Sequence, residues 1–381
     1  MNPEILTAIR SKTVSRNTPF YLYDAQTIRR ICNVFTEIPY EPLGIHFATM
    51  ANASPDILKL VKEEGIRVFV NSLGHLRLAL ELGYRNDEII YTSSALDADT
   101  MAEIRDAGAF VNMDSMAQLE LWWKCFPGES TGIRCNIGDL VTPRETRGGY
   151  FLGKESRLGL TVEEIQSLEG DERINGLHVY VGTDIVDVDY FEECYRQLAG
   201  LARLFPRLEH LDFGGGFGVP TPDGESFDFK RFGAFVSDLM EGVCANAGRP
   251  VRLILEPGRI ITGEAGCFVC RVNDIKIREG KQLIGVNAST AQFPRPLFYP
   301  ESAYHPVTVL SANGTQIAGR EETLLTDIYG CSTYSRDFLS RSQRLQRASI
   351  GDIVVFAHSG AYCASAYTTF LGFEPPEEIV I

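Results

Sequence analysis

Residues 45–62 read IHFATMANASPDILKLVK, and this stretch decides the fold of the chain. It starts as a short apolar run, changes to small and polar residues, and then carries apolar residues at helical spacing. This order predicts a buried strand, a tight turn and a helix. Ser54 is the predicted N-cap, and Pro55 suits the first helical position because the N–H that proline lacks would have no partner there.

The composition excludes several classes of protein. The chain has 381 residues, of which 44% are hydrophobic and 23% are charged, so it has the material for two domains or one barrel with an addition. Its net charge of −14 argues against nucleic acid or an anionic membrane as a partner, because both require clustered positive charge. The scattered nine cysteines and the absence of a signal-peptide pattern predict a cytoplasmic protein with reduced thiols.

Strand and helix patterns alternate from about residue 40 to residue 265. Residues 18–24, TPFYLYD, first predict an aromatic-rich edge strand. The alternation that follows predicts an eight-fold β/α barrel, with a doubly wound open sheet as the structural alternative. The predicted strands are 68–71, 89–92, 110–112, 131–135, 176–181, 208–213 and 253–256, and the predicted helices include 76–82, 99–107, 116–123 and 190–204.

The pattern changes after residue 265, where apolar β-type runs dominate and no helical periodicity continues. Turns are marked by Glu279-Gly280, Asn313-Gly314 and Gly351-Asp352. This part predicts an antiparallel β domain. Its predicted strands are 267–272, 281–286, 307–310, 323–328, 353–356 and 379–381.

Two glycine-containing segments are candidates for binding an anion. Residues 211–218 read LDFGGGFG, and consecutive glycines let backbone N–H groups converge on an anion without interference from a Cβ atom. Residues 256–259 read EPGR, which places a carboxylate and a guanidinium at the end of the next strand. The structural alternatives are a tight turn and a surface salt bridge.

These segments, in this order, resemble the fold type III decarboxylases that use pyridoxal phosphate (PLP), the diaminopimelate, ornithine and arginine decarboxylase group. The resemblance runs from Thr18 to Ile381. It implies an α/β fold with a (β/α)8 TIM-like barrel at residues 25–265. Residues 1–24 and 266–381 would then form the β domain, as in alanine-racemase-like proteins.

The resemblance also implies roles for individual residues. PLP would be the cofactor, an amino-acid-like molecule the ligand, and a homodimer with shared active sites the assembly. Glu256 would face the pyridine nitrogen, Cys331 would reprotonate the product, and Arg295 would contact a distal substrate carboxylate. The remaining implied cofactor residues are Gly214, Gly215, Gly216, Gly258, Arg259, Tyr362, Tyr180 and Thr183, and the remaining implied substrate residues are Tyr299 and Tyr304.

Five positions depart from that family. Met50 stands where the family has the lysine that holds PLP as a Schiff base. Methionine forms no imine, so PLP would be held only by its phosphate, its ring nitrogen and stacking. General acid–base contributions of ~10²–10⁴-fold would be lost with the amine. The other four departures are Tyr180 for a stacking histidine, Phe69 for an acid, His75 for a glutamate and Ser332 for the acid after Cys331.

Three explanations of Met50 remain open: natural divergence, a regulatory pseudoenzyme that pairs with an active homologue, and an engineered inactivating change. Five simultaneous departures favour divergence. Two classes of function follow, a carboxy-lyase acting on an amino acid and a non-catalytic binding or partner protein on the same scaffold.

Overall fold

The computed structural model describes residues 3–15, 18–146, 149–221, 223–301, 303–317 and 322–381. The chain divides into two compact units. One unit is Arg29–Ile261, and the other joins Met1–Ile28 to Thr262–Ile381.

The chain begins with helix α1 (Pro3–Ser15) and strand β1 (Phe20–Tyr23), and the barrel follows. Eight parallel strands close into the barrel, so the barrel prediction is confirmed and the open-sheet alternative is wrong. The predicted boundaries of the barrel strands differ from the observed ones by no more than three residues. The barrel strands are β2 (Leu43–Ala48), β3 (Arg67–Val70), β4 (Ile89–Thr92), β5 (Phe110–Met113), β6 (Thr131–Arg134), β7 (Ile174–His178), β8 (His210–Asp212) and β9 (Arg252–Leu255).

Helices connect the barrel strands. The helix after β2 begins as predicted, with Ser54 as N-cap and Pro55 in the first turn, although the Ser54 side chain makes no capping hydrogen bond. Asn52 Oδ1 instead accepts from the Ser54 N–H at 2.9 Å and closes the turn. The helices are α2 (Ala25–Thr36), α3 (Pro55–Glu63), α4 (Leu73–Glu81), α5 (Ala98–Asp106), α6 (Met116–Cys125), α7 (Val162–Ser167), α8 (Val188–Leu201), α9 (Phe229–Ala247) and α10 (Arg259–Thr262).

An apolar cluster covers part of the barrel's inner face. It is formed by Ala48, Phe69, Ile90 and Ile254, which come from the neighbouring strands β9, β2, β3 and β4. The cluster contains no helix residue, so its side chains face the other strands rather than the surrounding helices. Met50 is partly buried and packs against it.

The second unit is built on one eight-stranded sheet with an added short helix, α11 (Arg295–Phe298). Most of its strand pairs are antiparallel, as predicted, and β1 pairs with the first strand after the barrel. Two pairs are parallel, β1 with β16 (Glu377–Val380) and β11 (Lys281–Val286) with β13 (Thr323–Tyr329). Because β1 is paired on both sides, the prediction of an edge strand at residues 18–24 is wrong. The strands are β10 (Gly266–Arg278), β11 (Lys281–Val286), β12 (Val307–Leu310), β13 (Thr323–Tyr329), β14 (Phe338–Gln346), β15 (Ile353–Phe356) and β16 (Glu377–Val380).

Alternation of side chains explains why the N-terminal segment belongs to this unit. Phe20 and Leu22 of β1 point to one face, where they join Cys267 and Val269 of β10 in a buried core. Ile9 of α1 completes the same core. Burying these side chains is worth about 1.5–3 kcal/mol each, which is enough to fix a terminal strand.

Three features of the sequence have clear structural outcomes. Glu279 and Gly280 both have positive φ angles, +50° and +78°, as a tight hairpin turn between β10 and β11 requires.

Cys267 and Cys270 lie three residues apart on β10 and so point to opposite faces, and all nine cysteines are free thiols. None of the helices in the described ranges combines the length and apolar composition that crossing a membrane requires.

Candidate active site

Three ionisable side chains meet at the carboxyl ends of adjacent strands. His178 is the last residue of β7, Asp212 is the last residue of β8, and Glu256 directly follows β9. Parallel strands in a closed barrel bring their carboxyl ends to one rim, where barrel enzymes carry their sites. The chain therefore gathers these side chains although they are far apart in sequence.

The His178–Asp212–Glu256 cluster is buried and only partly hydrogen-bonded. His178 Nε2 lies 3.3 Å from Glu256 Oε2, and Asp212 Oδ1 accepts from the Gly214 N–H at 2.9 Å. His178 Nδ1, Asp212 Oδ2 and Glu256 Oε1 have no hydrogen-bond partner among the described residues. The candidate ligand atoms lie within 4.8 Å of one another, which would also let them surround a cation. Buried polar atoms without partners are uncommon and point to a bound group.

Burial sets the protonation of this cluster. Burial raises the pKa of Glu256 to about 7. The pKa of Asp212 is raised well above its usual range, mainly by burial and in addition by repulsion from the Glu256 carboxylate. Burial also lowers the pKa of His178 to about 4. At neutral pH we therefore assign a neutral imidazole with its proton on Nε2, donated to Glu256, and a carboxyl pair that holds on to a proton.

Arg134 provides the nearby positive charge, and the sequence reasoning missed it. It is the last residue of β6, its Nη1 lies 3.6 Å from Asp114 Oδ1, and its charge acts on Glu256. Burial lowers its pKa, and Asp114 is the main opposing influence. The signal was available, because Arg134 alternates with the apolar Ile133 near the end of a correctly predicted strand.

The consecutive glycines are required by close packing of backbone. A Cβ atom at Gly214 would lie 2.3 Å from Val179 O, one at Gly215 would lie 2.3 Å from Glu256 O, and one at Gly216 would lie 2.4 Å from Gly182 O. Gly214 and Gly216 also have positive φ angles of +62° and +106°. The turn after β8 is thus held against the turns after β7 and β9, and a side chain there would push them apart.

Arg259 and Gly258 tie the turn after β9 to its neighbours. Arg259 is the first residue of α10, and its Nε lies 3.9 Å from Asp184 Oδ1 beside the turn that contains Thr183. The Thr183 N–H donates to Thr146 Oγ1 at 3.2 Å. A Cβ atom at Gly258 would lie 3.1 Å from the Cβ atoms of Ala48 and Ala51, so this turn also contacts the one after β2.

Tyr180 presents an aromatic ring beside the glycine turn. Its Cε2 atom lies 3.8 Å from the position of a Cβ at Gly215, and Phe151 packs against the ring edge-on at 4.9 Å between centroids. The predicted cofactor residues in the barrel unit thus lie in or directly beside the adjacent turns after β7, β8 and β9.

The other predicted site residues belong to the second unit and are described within it. Cys331 is exposed two residues beyond the end of β13. Partial burial of the thiol raises its pKa, and the negative charge of Asp337 raises it further. Ser332, which stands at the expected acid, donates from its N–H and its hydroxyl to Asp337 Oδ2 at 3.1 and 2.5 Å. Asp337 is therefore an acid beside Cys331 that the sequence reasoning missed, because it lies six residues further along the chain.

Arg295 is buried, so it is not a surface charge. Its Nη1 donates to His305 Nε2 at 3.3 Å, and His305 Nδ1 in turn donates to Ala357 O at 3.1 Å. Tyr299 and Tyr304 are exposed. Tyr304 and His305 line a cavity of about 500 Å³ within this unit. Tyr362 is half-buried and has a positive φ of +56°.

Comparison with known proteins identifies the family. The model of the pyridoxal-dependent decarboxylase, pyridoxal binding domain, matches residues 25–263, more than half of the chain. The chain belongs to the pyridoxal-dependent decarboxylase family. This confirms the family resemblance and makes the chain a relative of PLP-dependent amino-acid decarboxylases.

Relatives that are named as decarboxylases align with almost the whole chain. Diaminopimelate decarboxylase of Methanothermobacter thermautotrophicus is 28% identical over 96% of this chain and 86% of its own length. Diaminopimelate decarboxylase of Escherichia coli K12 is 26% identical over 92% of this chain and 86% of its own.

Solved structures share the fold. A diaminopimelate decarboxylase structure superposes with a TM-score of 0.90 at 24% identity, covering 99% of this chain and 91% of that one. The structure of the Paramecium bursaria Chlorella virus arginine decarboxylase bound to agmatine superposes with a TM-score of 0.83 at 19% identity, covering 100% of both chains. The (β/α)8 barrel with an added β domain is thus the fold of these decarboxylases.

Two departures from the family pattern lie beside each other at the barrel rim. Phe69, at the position where the resemblance leads us to expect an acid, is buried in the inner apolar cluster. His75 Nδ1 lies 2.9 Å from Thr49 Oγ1, and Thr49 adjoins Met50 in the chain. Thr49, the neighbour of Met50, therefore contacts both of these residues, since its Oγ1 also donates to Phe69 O at 3.0 Å.

Proposed function

We propose that this protein binds PLP without a covalent link and takes an amino acid as its second ligand. The observation that carries the proposal is the buried Glu256, whose Oε1 has no partner at the rim of a pyridoxal-decarboxylase barrel. A protonated ring nitrogen would give Oε1 the missing donor and would favour the ionised carboxylate. When bound, PLP supplies an aldehyde that condenses with amino groups and a ring that withdraws electrons.

The barrel residues fit the rest of such a cofactor. Arg259 offers a guanidinium for the phosphate, together with the backbone N–H groups of the glycine turn. Tyr180 offers its ring as a stacking partner beside Gly215. Gly258 and Thr183 shape the same turns, and Tyr362 of the second unit is proposed as a further phosphate ligand.

Met50 does not fit the covalent link. Its thioether carries no amine, and its side chain packs against the inner apolar cluster. The neutral imidazole of His178 donates its Nε2–H to Glu256 Oε2, the oxygen that would not face the cofactor. The chain thus keeps Glu256, which would act on the ring nitrogen, but has no lysine amine to bind the aldehyde. The chain's own residues would bind and orient the cofactor without attaching it.

The second ligand is proposed from the relatives. One solved structure of similar fold is a diaminopimelate decarboxylase from "m. jannaschii" in co-complex with L-lysine. We propose a diamino or carboxylate-bearing amino acid here, with Arg295, Tyr299 and Tyr304 as its contacts. Cys331 would donate a proton to the product in a homodimer with shared sites.

A second candidate function is a non-catalytic binding or regulatory partner on the same scaffold. Met50 and Phe69 favour it, because both remove groups that ordinary turnover requires. The two candidates share the anionic-ligand site and differ only in whether the bound amino acid is converted.

An absorbance titration with PLP tests the proposal. We expect saturable uptake, and we expect dialysis to release the cofactor after borohydride treatment, because no lysine holds it. Failure to take up PLP would reject cofactor binding and leave the non-catalytic partner. Cofactor fixed to the protein by borohydride would show that another amine replaces the lysine. Product analysis with diaminopimelate, ornithine, arginine and lysine then separates the two candidates.

A further inference from the structure

His75 is anchored at the start of α4, beside the turn that carries Met50. Ser72 is the N-cap of α4, and its Oγ accepts from the His75 N–H at 3.3 Å. The His75 side chain reaches from this first turn to Thr49, with 2.9 Å between Nδ1 and Oγ1. Thr49 follows the last residue of β2, so the imidazole lies at the carboxyl rim of the barrel.

The hydrogen bonds of Thr49 fix which nitrogen of His75 carries the proton. Thr49 Oγ1 donates its one hydrogen to Phe69 O at 3.0 Å, and the Thr49 N–H donates to the same oxygen at 3.1 Å. With its hydrogen directed to Phe69 O, the hydroxyl offers only lone pairs to His75, and we therefore assign Nδ1–H as the donor. The lone pair of the neutral imidazole is then on Nε2.

Nε2 is available to a ligand. No described residue hydrogen-bonds to it, and it is not among the polar atoms that the protein encloses completely. Burial of the ring lowers the pKa of His75, and no charged side chain contributes to that shift. The charged residues between α4 and the adjacent α5, Arg77 and Glu103, pair with each other. The imidazole is thus neutral, and able to accept a proton, at pH 7.

We propose that His75 is the base that takes a proton from the ammonium group of the amino-acid ligand, with Thr49 as its positioning residue. The inference rests on the proposed function. The ammonium N–H bond breaks, Nε2 receives the proton, and His75 becomes an imidazolium. The freed nitrogen lone pair is then available to attack a carbonyl carbon, where a C–N bond would form as the C=O π electrons move to the oxygen. A protein without the lysine amine needs such a base, because an amino acid is protonated at neutral pH.

The first experiment measures the tautomer and needs no ligand. Long-range ¹H–¹⁵N correlation spectra of the whole protein should show His75 with its proton on Nδ1, and a pH titration should show a pKa below that of an ordinary histidine. Thr49→Val keeps the shape of the side chain but removes the acceptor, so the preference for Nδ1–H should be lost. A proton on Nε2 in the wild-type protein would overturn the inference.

The second experiment measures the rate at which the PLP-loaded protein reacts with an amino acid, followed by absorbance across pH. His75→Asn keeps an N–H donor for Thr49 but has no titrating lone pair, and His75→Gln is a second variant of different length. Both should react about 10²- to 10⁴-fold more slowly. Both should also lose the decline in rate that the wild type shows as pH falls through the pKa of His75. Added imidazole should restore part of the rate in His75→Gly.

The controls separate this inference from the proposed function. Arg207→Ala changes an exposed arginine paired with Glu172 and should leave the rate unchanged, and PLP affinity should be the same in all His75 variants. If the wild type takes up no PLP, the proposed function and this inference both fail. If PLP is taken up and folded His75→Asn and His75→Gln react at the wild-type rate, only the inference fails.

Discussion

Methionine is close to lysine in length but has no amine, and Met50 stands where the family resemblance places the Schiff-base lysine. Met50→Lys should therefore restore a link to PLP that borohydride fixes, visible as a change in absorbance. We expect little turnover, because Tyr180, Phe69 and His75 leave the charges and stacking around the cofactor altered.

Single-turnover assays of Met50→Lys with diaminopimelate, ornithine, arginine and lysine measure this. Met50→Leu is the matched control, since it keeps an apolar side chain of similar volume and should form no fixed link. Brisk turnover by Met50→Lys would show that the other departures are harmless, and would favour an engineered replacement of the lysine.

Arg259 is the residue on which the phosphate assignment depends. Arg259→Ala removes a charge-assisted pair worth ~1.5–3 kcal/mol, so PLP affinity should fall about ten- to a hundred-fold. Equilibrium titration with PLP checks this. Arg207→Ala, which removes an exposed arginine paired with Glu172, should leave the affinity unchanged. Equal affinities for the two variants would contradict the assignment.

At the scale of secondary-structure elements, the carboxyl ends of β7, β8 and β9 impose a pH dependence on stability. Burial raises the pKa of Glu256 from 4.5 to about 7, so the folded chain keeps this proton to higher pH than the unfolded chain. The stabilisation of the folded state by this tighter-bound proton is present in full below about pH 4.5 and is lost as pH rises towards 7. Asp212 acts in the same direction.

Glu256→Gln removes this titration from the ligand-free protein. The free energy of unfolding should fall less steeply between about pH 4.5 and 7 in the variant than in the wild type. Urea unfolding at several pH values measures the slope. Glu172→Gln, at an exposed site, is the control and should keep the wild-type slope. A wild-type slope in Glu256→Gln would mean that the carboxyl group is solvated.

The turn after β8 is packed too closely to accept a side chain at Gly215. Gly215→Ala would place a Cβ atom 2.3 Å from Glu256 O, so it should destabilise the protein by about 1–3 kcal/mol through overpacking. Gly200→Ala lies in α8 with open space at its Cβ and should stabilise by about 0.5–1 kcal/mol. Chemical denaturation compares the two. A neutral Gly215→Ala would show that the turn after β8 relaxes freely.

At the scale of the whole molecule, we expect a head-to-tail homodimer in which Cys331 reaches the partner's pocket. The expectation rests on family membership and on the exposed position of Cys331 in the second unit. Light scattering at micromolar concentration should give twice the mass of the chain. A monomer would contradict the shared site.

The sequence by itself determined the architecture wherever periodicity is strong. Apolar runs of β type alternating with helical patterns specified the barrel, because a strand buried on both faces reads as a continuous apolar run. The change of pattern near Gly266 marked the second unit. The strand β14 was not predicted, because its pattern leaves only Leu339 and Leu345 buried and so gives no continuous apolar signal.

Only the tertiary structure decided which polar groups meet. Arg134 and Asp114, Ser332 and Asp337, and Thr49 and His75 are pairs separated in sequence whose contacts depend on barrel closure or loop path. Their pKa shifts and orphaned atoms depend on desolvation, which has no local signature in a sequence. Residue types and their order along the chain therefore determined the family and the fold, while burial and distance determined what each ionisable group is able to do.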